Sequence, residues 1–257
     1  PDIGEMACGE YGSGKFSDPV EISNVINEYF KNLEQNKKYK ALVTAGPTRE
    51  YIDPVRYISN ESSGKQGYEI ALALNKLGVK TTLIIGPTSL TTQKDIKTKK
   101  IVTAEEMLTE VKKSLPVDVA ICTAAVTDFR PTIKNKNKLK KDLNKMKSIN
   151  LEKNEDILEY LSKNNKYRPK LVVGFSAETE NLNKNSISKM KKKNCDLIVA
   201  NDVSKQGRGF NSDYNEVSII DNNGNIKIIK KNKKSYIASK IAEVILDKLL
   251  VNDRNFN

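Results

Sequence analysis

The stretch TAGPTREYIDPVRYISNESSGKQG, residues 44–67, follows the apolar run KALV and gathers groups suited to binding a carboxylate or phosphate. Arg49 and Arg56 can each grip a carboxylate or phosphate through two parallel bonds. The Asn60 amide can donate to an oxyanion. Ser62, Ser63 and Gly64, with Lys65 beside them, lead into a predicted helix whose first amides and positive dipole end make an anion site. The stretch lacks both the G-x-G-x-x-G spacing of a dinucleotide site and the G-K-[ST] ending of a phosphate loop. A capped, hydrated surface loop in which Asn60 serves only the backbone is the alternative reading of the same residues.

Two later stretches add complementary chemistry. TAAVTDFRPTIKNKNKLKK sets Asp128 just past a strand end, where a carboxylate can hold a cation or a ribose hydroxyl. Seven lysines and one aspartate follow between 134 and 147, Lys138, Lys140 and Lys141 among them. A flexible lysine loop can close on a triphosphate as charge builds in a transition state, although such tracts are commonly only solvated. LEKNEDIL opens another helix start that can meet phosphates, while Glu155 and Asp156 fit dipole capping equally well. In ANDVSKQGRGFNSDYN, Gly207 and Gly209 bracket Arg208, and Phe210 is placed to pack across the loop or against a base.

Composition narrows what these groups can do. The chain has 257 residues, 38% hydrophobic and 30% charged, with a net charge of +12 and no histidine. Its length suits one large domain or two small ones with a buried core. Without histidine there are no imidazole metal sites, no serine–histidine triads and no imidazole acid–base catalysis. Lysine, arginine, carboxylates, amides or a bound cation must do the work. Three cysteines, Cys8, Cys122 and Cys195, form an odd, widely spaced set that argues against a disulfide framework and for a reducing, cytoplasmic setting. No apolar run approaches the ~20 residues of a membrane helix, and the start has no secretory pattern. The chain begins at Pro1 without an initiator methionine and is expected to be a fragment of something longer. Its positive charge invites a polyanion, yet lysine and asparagine are abundant throughout. Aromatic residues are only 6% with no tryptophan, which supplies stacking platforms poorly, so no nucleic acid is expected as a partner.

These loops need a scaffold, and the apolar period alternates between strand and helix. Strands are predicted at 40–46, 79–86, 117–126, 170–177 and 195–201. Helices are predicted at 64–77, 104–114 with Thr103 and Glu106 as a capping box, from Asn154 as N-cap, and at 183–194. EVSIIDNNGNIKIIK reads as a hairpin turning at Asn222-Asn223-Gly224, before a closing amphipathic helix at 235–250. This order predicts a Rossmann-like, three-layer α/β fold with a mostly parallel central sheet and a C-terminal antiparallel hairpin. Such sheets bind ligands beyond the carboxyl ends of their strands. The long segments 47–64, 127–153 and 201–215 all follow strands, as functional loops should. Residues 1–39 differ: a glycine-rich, aperiodic start, a helix near 19–31 and a lysine/asparagine linker, with a boundary near 36–39.

TAGPTREYIDPVRYISNESSGKQG, AAVTDFRP, KLKK, KNEDIL, GFSAETE and DLIVANDV…GFNSDYN occur in the order and spacing of bacterial phosphopantothenoylcysteine synthetase. This is the ligase half of the bifunctional decarboxylase/synthetase of coenzyme A biosynthesis, and the resemblance runs from about residue 40 to beyond 220. PDIGEMACGEYGSGK in turn resembles the P-A-S-G-x-L-A-C-G-x-x-G-x-G-R loop of the flavin-dependent decarboxylase. It departs from that loop with Asp2-Ile3 for Ala-Ser and Lys15 for arginine. The resemblance makes 1–38 the residual end of the decarboxylase domain and its linker, and 39–257 the ligase domain.

The resemblance implies that 4′-phosphopantothenate and CTP give an acyl-cytidylate and pyrophosphate, after which the amine of L-cysteine displaces CMP. It assigns Asn60 to the acyl intermediate and Arg56 to the pantothenate carboxylate. Lys138 stabilises the triphosphate, and Ser62, Ser63 and Gly64 offer amides to phosphate. Cys122, Thr123 and Ala124 meet the nucleotide through backbone, and Asp128 holds ribose or Mg²⁺. The helix start from Glu155 through Asp156 and Ile157 to Leu158 faces phosphates, with Glu155 standing where the family has proline. Phe175, Lys189 and Lys193 complete the nucleotide pocket. Cys8 would be the proton donor of the decarboxylase, whose FMN domain is missing from this chain. Cys8 is therefore expected to be inert, decarboxylase activity is not expected, and Pro1–Lys15 should be disordered or loosely packed. A homodimer is implied, with the hairpin at 216–229 contributing. A nicotinamide-binding Rossmann oxidoreductase is the enzyme rival, weakened by the missing glycine fingerprint. A basic nucleic-acid-binding module is the other, and predicts steep salt dependence.

Overall fold

The computed structural model describes residues 2–140, 148–163, 166–203 and 212–255; Lys141, Gly207, Arg208, Gly209 and Phe210 lie outside them. At the N-terminus Asp2–Glu5 (β1) and Tyr11–Lys15 (β2) pair antiparallel. The expected disordered or loose segment thus closes on itself, through Met6 N–H to the Glu10 carbonyl and Gly9 N–H to the Met6 carbonyl. Its side chains Ile3 and Tyr11 stay exposed. Helix α1 (Pro19–Asn36) is capped by Asp18 and runs past the predicted end. Apart from Gly4, the first buried residues of the chain are Asn36 and Tyr39. There the Asn36 amide donates to the Leu77 carbonyl and the Tyr39 hydroxyl to Asp253.

From Tyr39 onward, strand and helix alternate. β3 (Lys40–Ala45) is followed by a small antiparallel ribbon of β4 (Arg49–Tyr51) and β5 (Tyr57–Ser59), then by α2 (Lys65–Lys76) and β6 (Lys80–Ile85). β7 (Lys97–Lys100), α3 (Ala104–Ser114) and β8 (Val119–Cys122) come next. A second ribbon, β9 (Phe129–Pro131) with β10 (Leu151–Lys153), precedes α4 (Ile157–Lys163) and β11 (Leu171–Glu178). The chain ends with α5 (Leu182–Lys193), β12 (Leu197–Asp202), the hairpin β13 (Tyr214–Asp221) and β14 (Ile226–Lys233), and α6 (Lys234–Asn255).

Eight strands make the central sheet in the order β14-β13-β12-β11-β8-β3-β6-β7. Its strands pair in parallel from β7 to β12, and β13 and β14 add antiparallel. The three-layer reading of the sequence holds. Alternate residues of each parallel strand except the edge strand β7 feed two cores, as strands buried on both faces must. Val43, Ile121 and Val173 pack under α2 and α6, with Ile70, Leu74, Ile241 and Ile245. Leu42, Ala120 and Val172 pack under α3, α4 and α5, with Met107, Leu161 and Met190. The Thr103–Glu106 capping box is present. Asn154, however, is not the cap of α4: Asp156 accepts from Glu159 N–H with its side chain and from Tyr160 N–H with its carbonyl. Asn154 is buried two residues earlier and tied into the site instead. Among the described residues, no helix is long and apolar enough to cross a membrane.

Candidate functional site

The carboxyl ends of β3 and β8 carry the long segments that begin at 47 and 127, and buried polar groups stitch these together. The hydroxyls of Thr48 and Thr127 are 2.7 Å apart, and Thr127 N–H donates to Thr48 at 3.0 Å. Glu50 accepts from the Thr127 hydroxyl and from Ala104 N–H at the start of α3. The Asn154 amide donates to the Thr127 carbonyl at 2.8 Å, and its oxygen accepts from Arg130. Groups buried this fully cost free energy unless bonded, so the network holds both segments in one arrangement.

A second knot fixes the first ribbon to the lysine-rich segment. Asp53 is wholly buried. One of its oxygens accepts from Val55 and Arg56 N–H, the other from the Arg56 guanidinium and from Leu139 N–H. Arg56 also donates to the Leu139 carbonyl at 2.9 Å. The guanidinium, helped by these N–H donors and opposed by burial, holds the Asp53 carboxyl well below the usual carboxylate range. Asn135 adds its N–H to the Ile52 carbonyl at 3.0 Å. Lys138 therefore sits on a tethered backbone, its own side chain exposed.

Two cavities open above the sheet, one on each face, and meet over β8 and β11. The cavity on the α2/α6 side, about 480 Å³, is lined by residues 60–67, Thr123 to Val126, Asp128, Phe175, Asn201, Asn215 and Lys234. That volume suits a small organic ligand. The cavity on the α4/α5 side, about 140 Å³, is lined by Thr44, Cys122, Ala124, residues 153–158, Phe175 and Lys189. Ala124, Val126, Asp128, Phe175 and Lys189 border both. A wider groove of about 800 Å³ between α3 and the two ribbons is bordered by none of the residues predicted to act.

In the α2/α6 lobe, Gly64 caps α2 at φ +72°, a conformation open to glycine and strained for other residues. A Cβ on Gly67 would stand 2.0 Å from the Thr123 hydroxyl, so this glycine lets α2 press its first turn onto the end of β8. Asn60 donates to the Val126 carbonyl at 3.0 Å and the Ala125 carbonyl at 3.4 Å. The side-chain amide is thus held against the strand end, with its oxygen left as an acceptor. The N–H groups of Thr123, Ala124 and Ala125 are spent on Thr44 and Gly46, so backbone contact with a ligand here falls to carbonyls.

In the α4/α5 lobe the charges are paired. Lys193 bridges Asp156 at 2.9 Å and Glu159 at 2.8 Å. Burial alone would lower its amine, but Glu159 and Asp156 outweigh burial and raise it. Lys189 donates to the Phe175 carbonyl at 2.8 Å. Glu155 faces Lys112 at 3.5 Å, while Ile157 and Leu158 turn their side chains into the core. Burial pushes the Cys122 thiol far above its ordinary value. Asp128 is exposed where the lobes join, and no described side chain is bonded to its carboxylate. One such carboxylate, completed by phosphate oxygens, is a donor set that suits Mg²⁺. Among the described residues, no three acidic or cysteine side chains cluster to hold a metal alone.

The structure thus brings together Asn60, Ser62, Ser63, Gly64, Thr123, Ala124, Asp128, Phe175 and Lys189, with Cys122 and Glu155 to Leu158 across the junction. Arg56 and Lys138 border neither cavity, Lys193 stands behind its carboxylates, and Cys8 is exposed near the N-terminal ribbon. Arg49 stacks on the Tyr57 ring at 4.6 Å. Sequence reasoning missed Thr48, Glu50, Asp53, Thr127 and Lys234. The Asp53–Arg56 spacing was the one visible signal among them.

The chain matches known proteins over most of its length. The family model described as DNA/pantothenate metabolism flavoprotein C-terminal domain matches residues 36–249. The chain is 40% identical over 246 residues to the coenzyme A biosynthesis bifunctional protein CoaBC of Haemophilus influenzae, covering 95% of this chain and 61% of that protein. It is 38% identical over 253 residues to the protein of the same name from Escherichia coli K12, covering 97% and 61%. The chain thus spans about 61% of the length of these relatives. A crystal structure of the C-terminal domain of a CoaBC protein superposes with a TM-score of 0.70 at 34% identity, covering 85% of this chain and 99% of that one. A Cab2 mutant in complex with phosphopantothenate-cysteine shares the fold, with a TM-score of 0.66 at 15% identity, covering 92% and 97%.

Proposed function

Because the chain belongs to the DNA/pantothenate metabolism flavoprotein C-terminal domain family, we propose that it joins 4′-phosphopantothenate to L-cysteine with CTP as the activating nucleotide. The observation that carries this reading is the pair of cavities meeting at Val126 and Asp128, with Asn60 lining the first of them and bonded to the Val126 carbonyl. A ligase of this kind must hold an acyl substrate and a nucleotide with their reacting ends together. The acyl substrate occupies the α2/α6 lobe and the nucleotide the α4/α5 lobe. In the first step the pantothenate carboxylate attacks the α-phosphorus of CTP, and pyrophosphate leaves. In the second, the cysteine amine attacks the acyl carbon, loses a proton, and CMP departs with the bonding electrons.

Neither step needs imidazole. Asn60, fixed on two carbonyls, positions the acyl group at the junction and contacts the acyl-cytidylate. Lys189 meets the nucleotide where the lobes join, and Lys138, on the backbone that Asp53 and Arg56 tether, closes on the triphosphate. Mg²⁺, held by Asp128 and phosphate oxygens, would neutralise the pyrophosphate leaving group. A homodimer is part of the same reading, supported by β14, an edge strand with Ile226 and Ile228 exposed. No decarboxylase activity is proposed for this chain; in the bifunctional relatives that activity, with its FMN, is expected of the further domain.

Pyrophosphate release from CTP, ATP, GTP and UTP, measured with and without 4′-phosphopantothenate, tests the reading. Release from CTP that requires 4′-phosphopantothenate is expected. No release from any of the four, with Mg²⁺ and cysteine present, overturns it.

A further inference from the structure

We infer that the amino ends of β3, β6 and β7 form an anion site apart from the two lobes, which takes a small polyphosphate, free or carried by a nucleotide. It lies at the opposite end of the sheet from the lobes and stands independently of the ligase reading.

Strand register builds the site. A cavity of about 650 Å³ opens beneath the end of α3, between Lys40 on β3, Lys80 on β6 and Lys97 on β7. Lys40 pairs in register with Lys80, and Lys97 with Thr82, in parallel. Their side chains therefore leave the sheet on one face. It is the face on which Leu42 and Ile84 pack with Met107 and Val111 of α3. Neighbouring strands lie ~4.8 Å apart, so Lys40 and Lys80 set two like charges side by side, an arrangement that destabilises a sheet.

The carboxylates at hand are spent elsewhere. Asp118 accepts from the Lys40 N–H at 2.9 Å and pairs with Lys170 at 3.3 Å. Glu110 pairs with Lys113 at 2.8 Å and Lys99 at 4.0 Å. Among the described residues, no ion pair reaches the side chains of Lys40, Lys80 or Lys97. Five lysines and two carboxylates, Asp95 and Glu110, leave the lining of the cavity at +3. The carboxyl end of α3 also borders it at Ser114, and Lys112 and Lys113 in the last turn answer that negative pole. Lysine binds phosphate as a compact point charge. Several unpaired amines around one cavity match the successive charges of a polyphosphate, where a lone carboxylate would leave most of them uncompensated. Leu115, Pro116 and Val117 complete one wall with apolar surface, against which the base of a nucleotide would rest.

Lysine acetylation, read by peptide mass spectrometry on the Mg²⁺-free protein at one fixed ionic strength, tests the site with two probes, tripolyphosphate and ATP. Saturating protection of Lys40, Lys80 and Lys97 is expected, while the exposed Lys227 and Lys230 on β14 stay reactive. Whichever probe saturates at the lower concentration tells whether the anion is free or borne by a nucleotide. In Lys40→Gln/Lys80→Gln, the concentration that half-protects Lys97 should rise about tenfold, the worth of one charge-assisted bond. All three lysines are exposed, so Lys97→Gln, read at Lys40, repeats the comparison without touching the core. Equal protection of every exposed lysine, or none at Lys40, Lys80 and Lys97, overturns the inference. So does a half-protecting concentration unchanged within about twofold in the variants. The readout is chemical protection, so a protein that releases no pyrophosphate would overturn the ligase reading and leave this one standing.

Discussion

The two lobes are built from different interactions. On the α2/α6 side, position comes mainly from neutral hydrogen bonds, Asn60 on two carbonyls and Gln66 between Asn215 and Lys234, and from the close approach of Gly67 to Thr123, beside one ion pair of Lys65 with Asp213. On the α4/α5 side it comes from ion pairs, with Lys193 between Asp156 and Glu159, and Glu159 shared with Lys163. Neutral bonds fix geometry at little cost in desolvation, and charged pairs hold only while both partners stay ionised. On the proposed reading, the difference means that the first lobe places the reacting carbonyl, while the second holds charge ready for phosphates.

The hardest blow to this contrast is Asn60→Asp. It replaces a donor with a carboxylate oxygen facing the Ala125 and Val126 carbonyls, so the acyl group loses its reference point. Amide formation should fall by about 10²–10³-fold, the range for losing one positioned amide at a reacting carbonyl. Rapid-quench analysis should still find acyl-cytidylate and a burst of pyrophosphate. Unimpaired product turnover would show that the first lobe does not place the carbonyl.

A smaller loss is expected from Asp53→Asn, which keeps the shape of the knot and removes its charge. The Arg56 guanidinium and Leu139 N–H lose their common anchor, and with it the backbone that carries Lys138 shifts. A displacement of about 1 Å can cost up to about 10²-fold in rate. The decrease should appear in kcat for pyrophosphate release with the nucleotide KM nearly constant, and Lys138→Gln should lower the same step further. A rise in nucleotide KM alone would assign Asp53 to binding rather than to the loop.

The fold was legible because its strands are apolar throughout and its helices carry period and caps. The exceptions have physical reasons. Lys97–Lys100 reads as polar, since an edge strand pairs on one side only and is permitted charge. Asn154 looked like a helix cap, but Asp156 stands nearer the first turn and Asn154 is claimed by Thr127 across the fold. The ribbons β4–β5 and β9–β10 are three-residue strands, too short to show alternation. Within the site, Asn60, Asp128 and the serine-glycine turn stood out because strand ends expose them. Asp53 and Thr48 did not, since their meaning comes from Leu139 and Thr127, far away in sequence. Lys234 was hidden in the run KKNKK, where only burial separates it from its solvated neighbours.

The paired lysines allow a finer separation. Lys189 bonds a neutral carbonyl and borders both cavities, whereas Lys193 is committed to two carboxylates. Lys189→Met should raise the nucleotide KM by about tenfold, the worth of one charge-assisted bond. Lys193→Met should act mainly on stability, because Asp156 and Glu159 lose their partner; thermal unfolding would register it, with the smaller change in KM. Equal effects on KM would mean that the ion pairs of the second lobe open for the nucleotide.

The smallest effect separates the lobes by sign. Lys163 first, and Lys193 next, lower the Glu159 carboxyl to about 2. Its folded value lies below the unfolded one, so its contribution is complete above the ordinary carboxylate range and is lost as pH falls towards 2. Lys234 behaves oppositely. Its folded value of about 8 lies below the ordinary 10.5, so between them the unfolded chain holds the extra proton. Stability from this group therefore rises with pH across that window. Urea unfolding at about pH 3, 7 and 9 should resolve both limbs through the proton difference between states. Glu159→Gln should reduce the acid limb, to which Asp53 and Asp221 also contribute, and leave the alkaline rise, and Lys234→Met should flatten the alkaline rise alone. If either variant flattened the other's limb, the lobes would be one electrostatic unit, and the division between a lobe that places and a lobe that charges would fail.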